Sequence, residues 1–181
     1  MQRRLTLLLC LLAPIGGALV AQDRMAINLN THSVVTIDRP ATAIWPHIID
    51  PSSWKQGLKS RHHSGPPGEV GEVLAAVDPA DPTKVAFFLE NVELTRNQRR
   101  TIKLYLVDGT LIGFASWTLR AVAGRTVVGY DVHSETRPDP AQAKAMTALQ
   151  RREAERSQQD ANQRRFDEEL LALKRLVEAS P

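Results

Sequence analysis

This chain of 181 residues contains 20 Asp and Glu residues and five histidines, and one group of them could carry acid–base chemistry on a segment that reads as a strand. Asp131, His133 and Glu135 share one face of such a segment. A carboxylate and an imidazole two residues apart on a strand could act as a general acid–base pair. The apolar residues that alternate with them, from Val128 to Val132, take the face expected to be core. The pattern therefore predicts that these polar groups point toward solvent.

His62 and His63 form the one histidine cluster in the sequence. Neighbouring residues on a strand point to opposite faces, so they could share a metal ion only on a loop. No Asp or Glu lies within five residues on their N-terminal side. We interpret the pair as part of an exposed polar loop. We interpret Glu90 and Glu93 as carboxylates on the solvent-exposed face of a strand. The sequence thus predicts no catalytic residue, no metal site and no cofactor, and it lacks phosphate-loop, nucleophile-elbow and zinc-protease motifs.

Aromatic residues are better candidates for contact with a ligand. Trp54, Trp117 and Tyr130 offer large contact area, and the polar tips of Tyr and Trp can orient a bound molecule. Ordinary core packing would also account for them. Trp45 lies inside the first short helix and is expected to be core alone.

The first 21 residues have the pattern of a secretory signal peptide. Arg3 and Arg4 precede an apolar run from Leu5 to Val20, and small residues lead to Ala18 and Ala21, where we expect cleavage. The run is short and interrupted for a membrane span of ~20 residues, although an uncleaved N-terminal anchor remains an alternative. We expect a periplasmic or secreted protein with an N-terminal segment at 22–32 and one domain at 33–181.

Removal of the leader changes the composition in two ways. Cys10 is lost, which leaves no cysteine for disulfides, thiol catalysis or thiolate metal sites. The 23 basic residues fall to 21 with Arg3 and Arg4, against 20 acidic ones. That balance gives no electrostatic reason to bind nucleic acid. No second apolar stretch is long enough to span a membrane.

The order of predicted elements is one strand, two short helices, a run of strands and a long helix. Ser33–Asp38 reads as a strand, Ala41–Ile49 as a helix with Pro46 inside, and Asp50–Trp54 as a capped turn. Asp108-Gly109 and Ala123-Gly124 are hairpin signals. Five further strands are predicted at Glu69–Val77, Lys84–Leu94, Arg99–Val107, Leu111–Ala121 and Arg125–Glu135.

The C-terminal segment contains an amphipathic helix preceded by a polar stretch. Phe166, Leu170, Leu173 and Val177 share one face at helical spacing. The residues from Gln150 to Arg165 are nearly free of large apolar side chains, which indicates a solvated helix extension or a linker rather than core. A docking helix for a protein partner or an anionic lipid is an alternative.

This order of elements resembles the SRPBCC, or START-like, superfamily and its polyketide cyclase/dehydrase branch. The similarity rests on Pro40–Trp45 with Ile48–Pro51 and Trp54, on Gly68–Gly71, and on Trp117–Leu119 with Gly124–Val127. Leu173–Glu178 resembles the closing helix. The resemblance spans roughly 33 to 178, and the polar stretch from Pro140 to Arg165 departs from the usual pattern.

The resemblance implies an α+β helix-grip fold, in which a curved antiparallel sheet of about seven strands grips the long C-terminal helix. It also implies an apolar cavity between them that binds a small hydrophobic molecule. The residues expected to line this cavity are Trp54, Trp117, Tyr130, Phe166, Leu170, Leu173 and Val177.

Three functions are compatible with this reading. A non-catalytic binding or carrier module is favoured, because the sequence assembles no catalytic constellation. A cyclase/dehydrase-type enzyme using the same cavity is the second, and an inward-facing ionisable residue with a shifted pKa would support it. The third is a protein-partner module that uses the 150–165 extension.

Overall fold

The computed structural model describes residues 27–55, 59–136 and 146–180. Its core is one sheet of seven antiparallel strands in the order β1-β7-β6-β5-β4-β3-β2, and the chain closes with a long helix. The predicted fold class is therefore confirmed. The strands are β1 (Ile27–Ile37), β2 (Lys59–Ser64), β3 (Val73–Val77), β4 (Val85–Thr95), β5 (Arg99–Tyr105), β6 (Leu111–Val122) and β7 (Arg125–Thr136); the helices are α1 (Ala41–Ile49), a 3₁₀ turn (Pro51–Ser53) and α2 (Ala148–Ala179).

Helix α1 and the 3₁₀ turn lie where the sequence predicts a helix and a capped turn. Ile44 and Ile48, four residues apart on α1, are fully buried against the sheet. Asp50 follows α1, and its carboxylate accepts a hydrogen bond from the Ser52 backbone N–H at 3.1 Å. Pro51 occupies the first position of the 3₁₀ turn, where its missing N–H costs no hydrogen bond. This turn places Trp54 in the core beside the sheet.

Tight hairpins set the register of the later strands. Gly109 has φ +85° in the β5–β6 connection. Ala123 and Gly124, with φ +47° and +80°, make the two-residue β6–β7 turn, in which both central residues adopt left-handed conformations. The register then places Ser33, Tyr130, Trp117 and Arg100 side by side across β1, β7, β6 and β5. We call these four residues the middle row of the concave face.

Three local predictions were wrong. The first strand, predicted to begin at Ser33, begins at Ile27, because residues assigned to an N-terminal segment pair with β7. The segment around His62 and His63 is strand β2, an edge strand, rather than a loop, and its side chains are mostly exposed because nothing covers that edge in the described structure. The strand predicted to begin at Glu69 begins at Val73 instead, because Gly68 and Gly71 adopt positive φ and keep the chain in turns.

Helix α2 is continuous, so the polar stretch predicted as an extension or a linker is helical where the structure describes it. It begins with a capping box, in which Thr147 and Gln150 bind each other's backbone N–H groups. Its polar side chains bind the outer edge of β1, where no other strand of the described ranges pairs with it. The contacts are Gln159 with Asn30, Gln163 with the His32 carbonyl (2.9 Å), Lys174 with the Thr36 carbonyl (2.7 Å) and Glu178 with the Asp38 N–H (2.8 Å). The helix thereby protects an edge strand.

The apolar part of α2 packs onto the sheet. Leu170, Leu173 and Val177 are buried among the residues of α1 and the concave face. None of the helices in the described parts of the chain has the length and apolar character needed to cross a lipid bilayer.

Candidate ligand-binding site

The concave face carries an incompletely covered apolar region on one side of the middle row. Toward β3 and the start of β6, Leu74, Phe87, Leu104 and Val132 are only partly buried, although they pack against the core. Between them lie residues with small or absent side chains. We call this region the distal concave surface: Leu74, Phe87, Leu104, Gly113, Ala115 and Val132.

Gly113 is required by the geometry of the sheet. A Cβ atom at this position would lie 2.1 Å from the carbonyl oxygen of His133, which belongs to the neighbouring strand backbone. The backbones of β6 and β7 therefore approach so closely that no side chain can be accommodated at position 113. Ala115, the next residue on the same face of β6, adds only a methyl group.

Four aromatic side chains converge beside this surface. Trp117 and Tyr130 stack in parallel with ring centroids 4.8 Å apart, as expected for directly paired residues on adjacent strands. Phe166 of α2 meets Tyr130 edge-on at 5.2 Å. Trp54 is buried and anchored by a 2.8 Å hydrogen bond from its Nε1 to the His47 carbonyl. We call Trp54, Trp117, Tyr130 and Phe166 the aromatic cage.

The cage surrounds the ammonium group of Lys55. Lys55 Nζ lies 5.3 Å from the Trp54 ring centroid, 5.6 Å from Phe166 and 5.7 Å from Trp117. These distances are within the range of cation–π attraction. Tyr130 contributes its hydroxyl, which accepts a hydrogen bond from Nζ at 2.6 Å.

Glu169 of α2 balances the charge of Lys55. Its Oε2 accepts a hydrogen bond from Lys55 Nζ at 2.7 Å, and its Oε1 pairs with Arg165 at 3.1 Å. Only 12% of the Lys55 side chain and 11% of the Glu169 side chain is exposed. The pair therefore joins the helix to the turn after α1 at the rim of the core.

Burial governs the protonation of Tyr130. Loss of solvation raises the pKa of its phenol above the ordinary value, an effect that the nearby positive charge of Lys55 partly opposes. The phenol is therefore neutral at neutral pH while it accepts the lysine hydrogen bond. A neutral acid beside an ammonium and a carboxylate could donate or relay a proton.

A cleft borders the cage on the α2 side. It has a volume of about 570 Å³ and is lined by Trp54, Arg165, Glu168, Glu169, Ala172 and Arg175. Trp54 and Glu169 belong both to this lining and to the surroundings of Lys55. The cleft thus lies next to the Lys55–Glu169 ion pair.

A second charged cluster lies on the other side of Trp117. The Arg100 guanidinium donates to Asn91 Oδ1 at 2.8 Å and to the carbonyls of Ile48 and Ile49, the latter at 2.8 Å. The Asn91 amide in turn donates to the carboxylate of Glu72 at 3.2 Å. Burial lowers the pKa of Arg100 to about 10, against the opposing effect of Glu72 and Asp50, so the group is charged at neutral pH. This cluster fixes the C-terminal end of α1.

Two buried polar atoms on the concave face have no hydrogen-bond partner among the described residues. They are Trp117 Nε1, in the middle row, and Thr31 Oγ1, on β1 opposite Val132. Buried donors and acceptors are ordinarily satisfied. These two atoms are therefore exceptions among the buried polar groups of the described residues.

The structure brings together four of the seven residues that the sequence analysis assigned to a cavity wall, since Trp54, Trp117, Tyr130 and Phe166 form the cage. Leu170, Leu173 and Val177 lie with Trp54, Trp117 and Tyr130 in the core cluster, and Phe166 packs against it. Contact of all seven residues with a ligand stays a prediction.

The polar candidates on β4 and β7 point away from this site. Asp131 and His133 are exposed on the convex face, where Asp131 pairs with His32 at 2.6 Å. Glu90 pairs with Lys103 on the same face at 3.6 Å. His62 lies 3.4 Å from Glu72, and no group of three potential metal ligands converges in the ranges that the structure describes.

Sequence reasoning missed the charged residues of both clusters. Glu169 lies three residues after Phe166 and four before Leu173, so it occupies the apolar stripe of α2, and a carboxylate there calls for a buried partner. Arg100 shares its strand face with Ile102 and Leu104 in the same way. Lys55 carries no comparable signal, because it lies in an irregular turn.

Comparisons with known proteins identify the architecture. No protein-family model matches the chain, and no curated protein matches it. Among solved structures, the Zhui aromatase/cyclase from Streptomyces sp. R1128 aligns over 83% of this chain and 94% of its own, with a TM-score of 0.61 and 14% identity. The chain has the helix-grip fold.

Other structures support the same assignment. A protein of unknown function, SA2116 from Staphylococcus aureus, aligns over 84% of this helix-grip chain and 96% of its own, with a TM-score of 0.63 and 12% identity. A truncated norcoclaurine synthase from Thalictrum flavum aligns over 86% and 97%, with a TM-score of 0.51 and 12% identity. At such identities the similarity establishes the fold alone.

Proposed function

We propose that this protein is a member of the SRPBCC superfamily that binds a small hydrophobic molecule between its sheet and helix α2, without catalysis. The observation that carries the proposal is the distal concave surface, where partly exposed apolar side chains surround Gly113 and Ala115. Transfer of ~25 cal/mol per Å² of apolar surface from water would supply the affinity. The unpartnered Trp117 Nε1–H and Thr31 hydroxyl would orient the bound molecule.

The placement of α2 explains why this surface is available. Gln159 and Gln163 hold the polar half of the helix to the outer edge of β1. The one large apolar side chain before Phe166 in this helix, Leu149, is exposed and does not cover the middle strands. A ligand would complete the core there, as side chains do beneath the apolar half of the helix. The signal-peptide pattern further supports a carrier that acts after export.

Native mass spectrometry of protein purified from its own cell envelope is the direct test. We expect a small apolar molecule to be recovered at one copy per chain. Binding in vitro is measured with the neutral dye N-phenyl-1-naphthylamine, whose fluorescence rises in apolar surroundings. A protein that carries no molecule and does not bind the dye would contradict the proposal.

A matched pair of variants locates the binding site. Leu104→Lys places a charge on the distal concave surface and is expected to weaken dye binding about tenfold or more. Leu106→Lys makes the same change two residues later, where the side chain is 41% exposed, and is expected to bind as the wild type does. Equal affinity in the two variants would place the dye elsewhere.

A cyclase-type enzyme is the second candidate, and the Lys55–Tyr130–Glu169 cluster is the observation that favours it. Tyr130 is a buried neutral acid held by a cation, and one fold neighbour is named as an aromatase/cyclase. In that case the protein would convert the molecule recovered from the cell envelope, and Tyr130→Phe would abolish conversion while binding persists. Return of the molecule unchanged from the wild type favours the carrier.

A further inference from the structure

We propose that the aromatic cage is a binding site for a ligand ammonium group, which Lys55 occupies when no ligand is bound. The hydrophobic ligand would then be a cationic amphiphile, in which an apolar body carries an amine or a quaternary ammonium. This inference rests on the proposed function, because it names the class of molecule bound at the same site.

The surroundings of Lys55 Nζ have the composition of an ammonium receptor. Three ring centroids lie 5.3–5.7 Å from the nitrogen, a hydroxyl lies at 2.6 Å and a carboxylate at 2.7 Å. Aromatic rings attract a desolvated cation through their negative faces, and cages of such rings recognise quaternary ammonium ligands. Lys55 fills this receptor as an internal ligand.

Lys55 is attached in a way that permits exchange. It lies in the turn after the 3₁₀ helix, outside every strand and long helix, and its ammonium is carried by four flexible methylene groups. The cleft lined by Trp54 and Glu169 borders this site, and we propose it as the route by which a ligand enters. Arg100 lacks these features, since it lies on strand β5 and is 1% exposed.

The charge of Glu169 determines which head group can replace Lys55. A ligand ammonium that replaces Lys55 would still neutralise the negative charge of this carboxylate. A neutral head group would leave Glu169 buried without its lysine, and an anionic one would place a second negative charge beside it. The expected order of affinity at equal chain length is therefore cation, then neutral, then anion. The apolar chain would extend from the cage along the distal concave surface.

The test uses the full mature chain and three probes of equal chain length, octyltrimethylammonium, octan-1-ol and octanoate, each displacing N-phenyl-1-naphthylamine. We expect the cation to bind about tenfold more tightly than the alcohol. Glu169→Gln should remove that preference. Glu168→Gln is the matched control, because Glu168 lines the cleft but forms no ion pair with Lys55, and it should retain the preference.

Lys55→Met provides a second, independent measurement. Removal of the internal ligand should raise the affinity for octyltrimethylammonium about tenfold, and tetramethylammonium should raise the melting temperature of this variant more than that of the wild type. This variant decides the question if Glu169→Gln does not fold.

The possible outcomes separate the two proposals. Equal affinities for the three probes would overturn the ammonium site and leave hydrophobic binding intact. Displacement by octanoate alone would also overturn it. If the wild type fails to bind the dye, the proposed function fails, and the response of Lys55→Met to tetramethylammonium still decides whether the cage accepts an ammonium.

Discussion

Two cations lie at similar distances from the same indole ring and are held in different ways. The Arg100 guanidinium is 5.8 Å and the Lys55 ammonium 5.7 Å from the centroid of Trp117. Arg100 is 1% exposed and binds acceptors from β4 and the end of α1. Lys55 has one carboxylate and one phenol as partners, beside an open cleft. These different surroundings indicate that Arg100 has a structural role, whereas a ligand cation can replace Lys55.

The chemistry of the two side chains fits these roles. A guanidinium offers several donors in a fixed planar arrangement, so Arg100 can satisfy the Ile48 and Ile49 carbonyls and the Asn91 amide together. Positive charge at the C-terminal end of α1 is also favourable for the helix dipole. An ammonium is a compact charge on a flexible stem, which suits a group that one ligand cation can replace.

The largest expected effect comes from removing the structural cation. Arg100→Met leaves two helix-end carbonyls and the buried Glu72 carboxylate without their cation. We expect the free energy of unfolding to fall by about 3–5 kcal/mol, as measured by urea denaturation. Arg99→Met, on the exposed face of the same strand, should change it by less than about 0.5 kcal/mol. Similar losses in both variants would contradict the structural role of Arg100.

A buried apolar residue of α2 provides a reference value for the loss in the free energy of unfolding that is expected at the two cations. Leu173 lies one turn after Glu169 and is fully buried in the core cluster. Leu173→Ala should lower the free energy of unfolding by about 2–5 kcal/mol, as deletion of a buried leucine does. Leu171→Ala, at an exposed position of the same helix, is the control. A loss below about 0.5 kcal/mol at Leu173 would mean that this face of the helix is not packed.

Alternation and turn signals are local, so they predicted most of the strands and helices, whereas the helix-grip arrangement was implied by the family resemblance. The period of two in β7 placed Val128 in the core and Asp131 outside, and the bounds predicted for α1 are those observed. The cage was predicted only in part. Its aromatic residues could be named individually, but their convergence depends on the register between β6 and β7 and on the docking of α2.

Lys55 shows why the centre of the site could not be predicted. It comes together with Tyr130 and Glu169 across 75 and 114 residues of sequence. No periodicity relates a residue of an irregular turn to such partners. Only the carboxylate on the apolar stripe of α2 indicated that a buried cation was needed.

A smaller loss is expected when the exchangeable cation is removed. Lys55→Met keeps the apolar stem of the side chain but leaves Glu169 with Arg165 as its remaining partner. We expect the free energy of unfolding to fall by about 1–3 kcal/mol, since charged hydrogen bonds are lost at a site that water still reaches. Adding Glu169→Gln should recover part of that loss. A loss as large as that of Arg100→Met would make Lys55 a structural residue as well.

The smallest effect is expected from the alkaline titration of Tyr130. Because burial raises the pKa of this phenol above 10, the folded state holds the proton more tightly than the unfolded state does. The stability that this difference contributes is present below pH 10 and is lost as the pH rises through the raised value. Urea denaturation at pH 8 to 11 should therefore show a steeper alkaline loss in the wild type than in Tyr130→Phe. The other titrating groups are common to both proteins and serve as the internal control. Equal alkaline losses would mean that the phenol ionises as freely in the folded chain as in the unfolded one. Lys55 would then not lie beside a neutral partner.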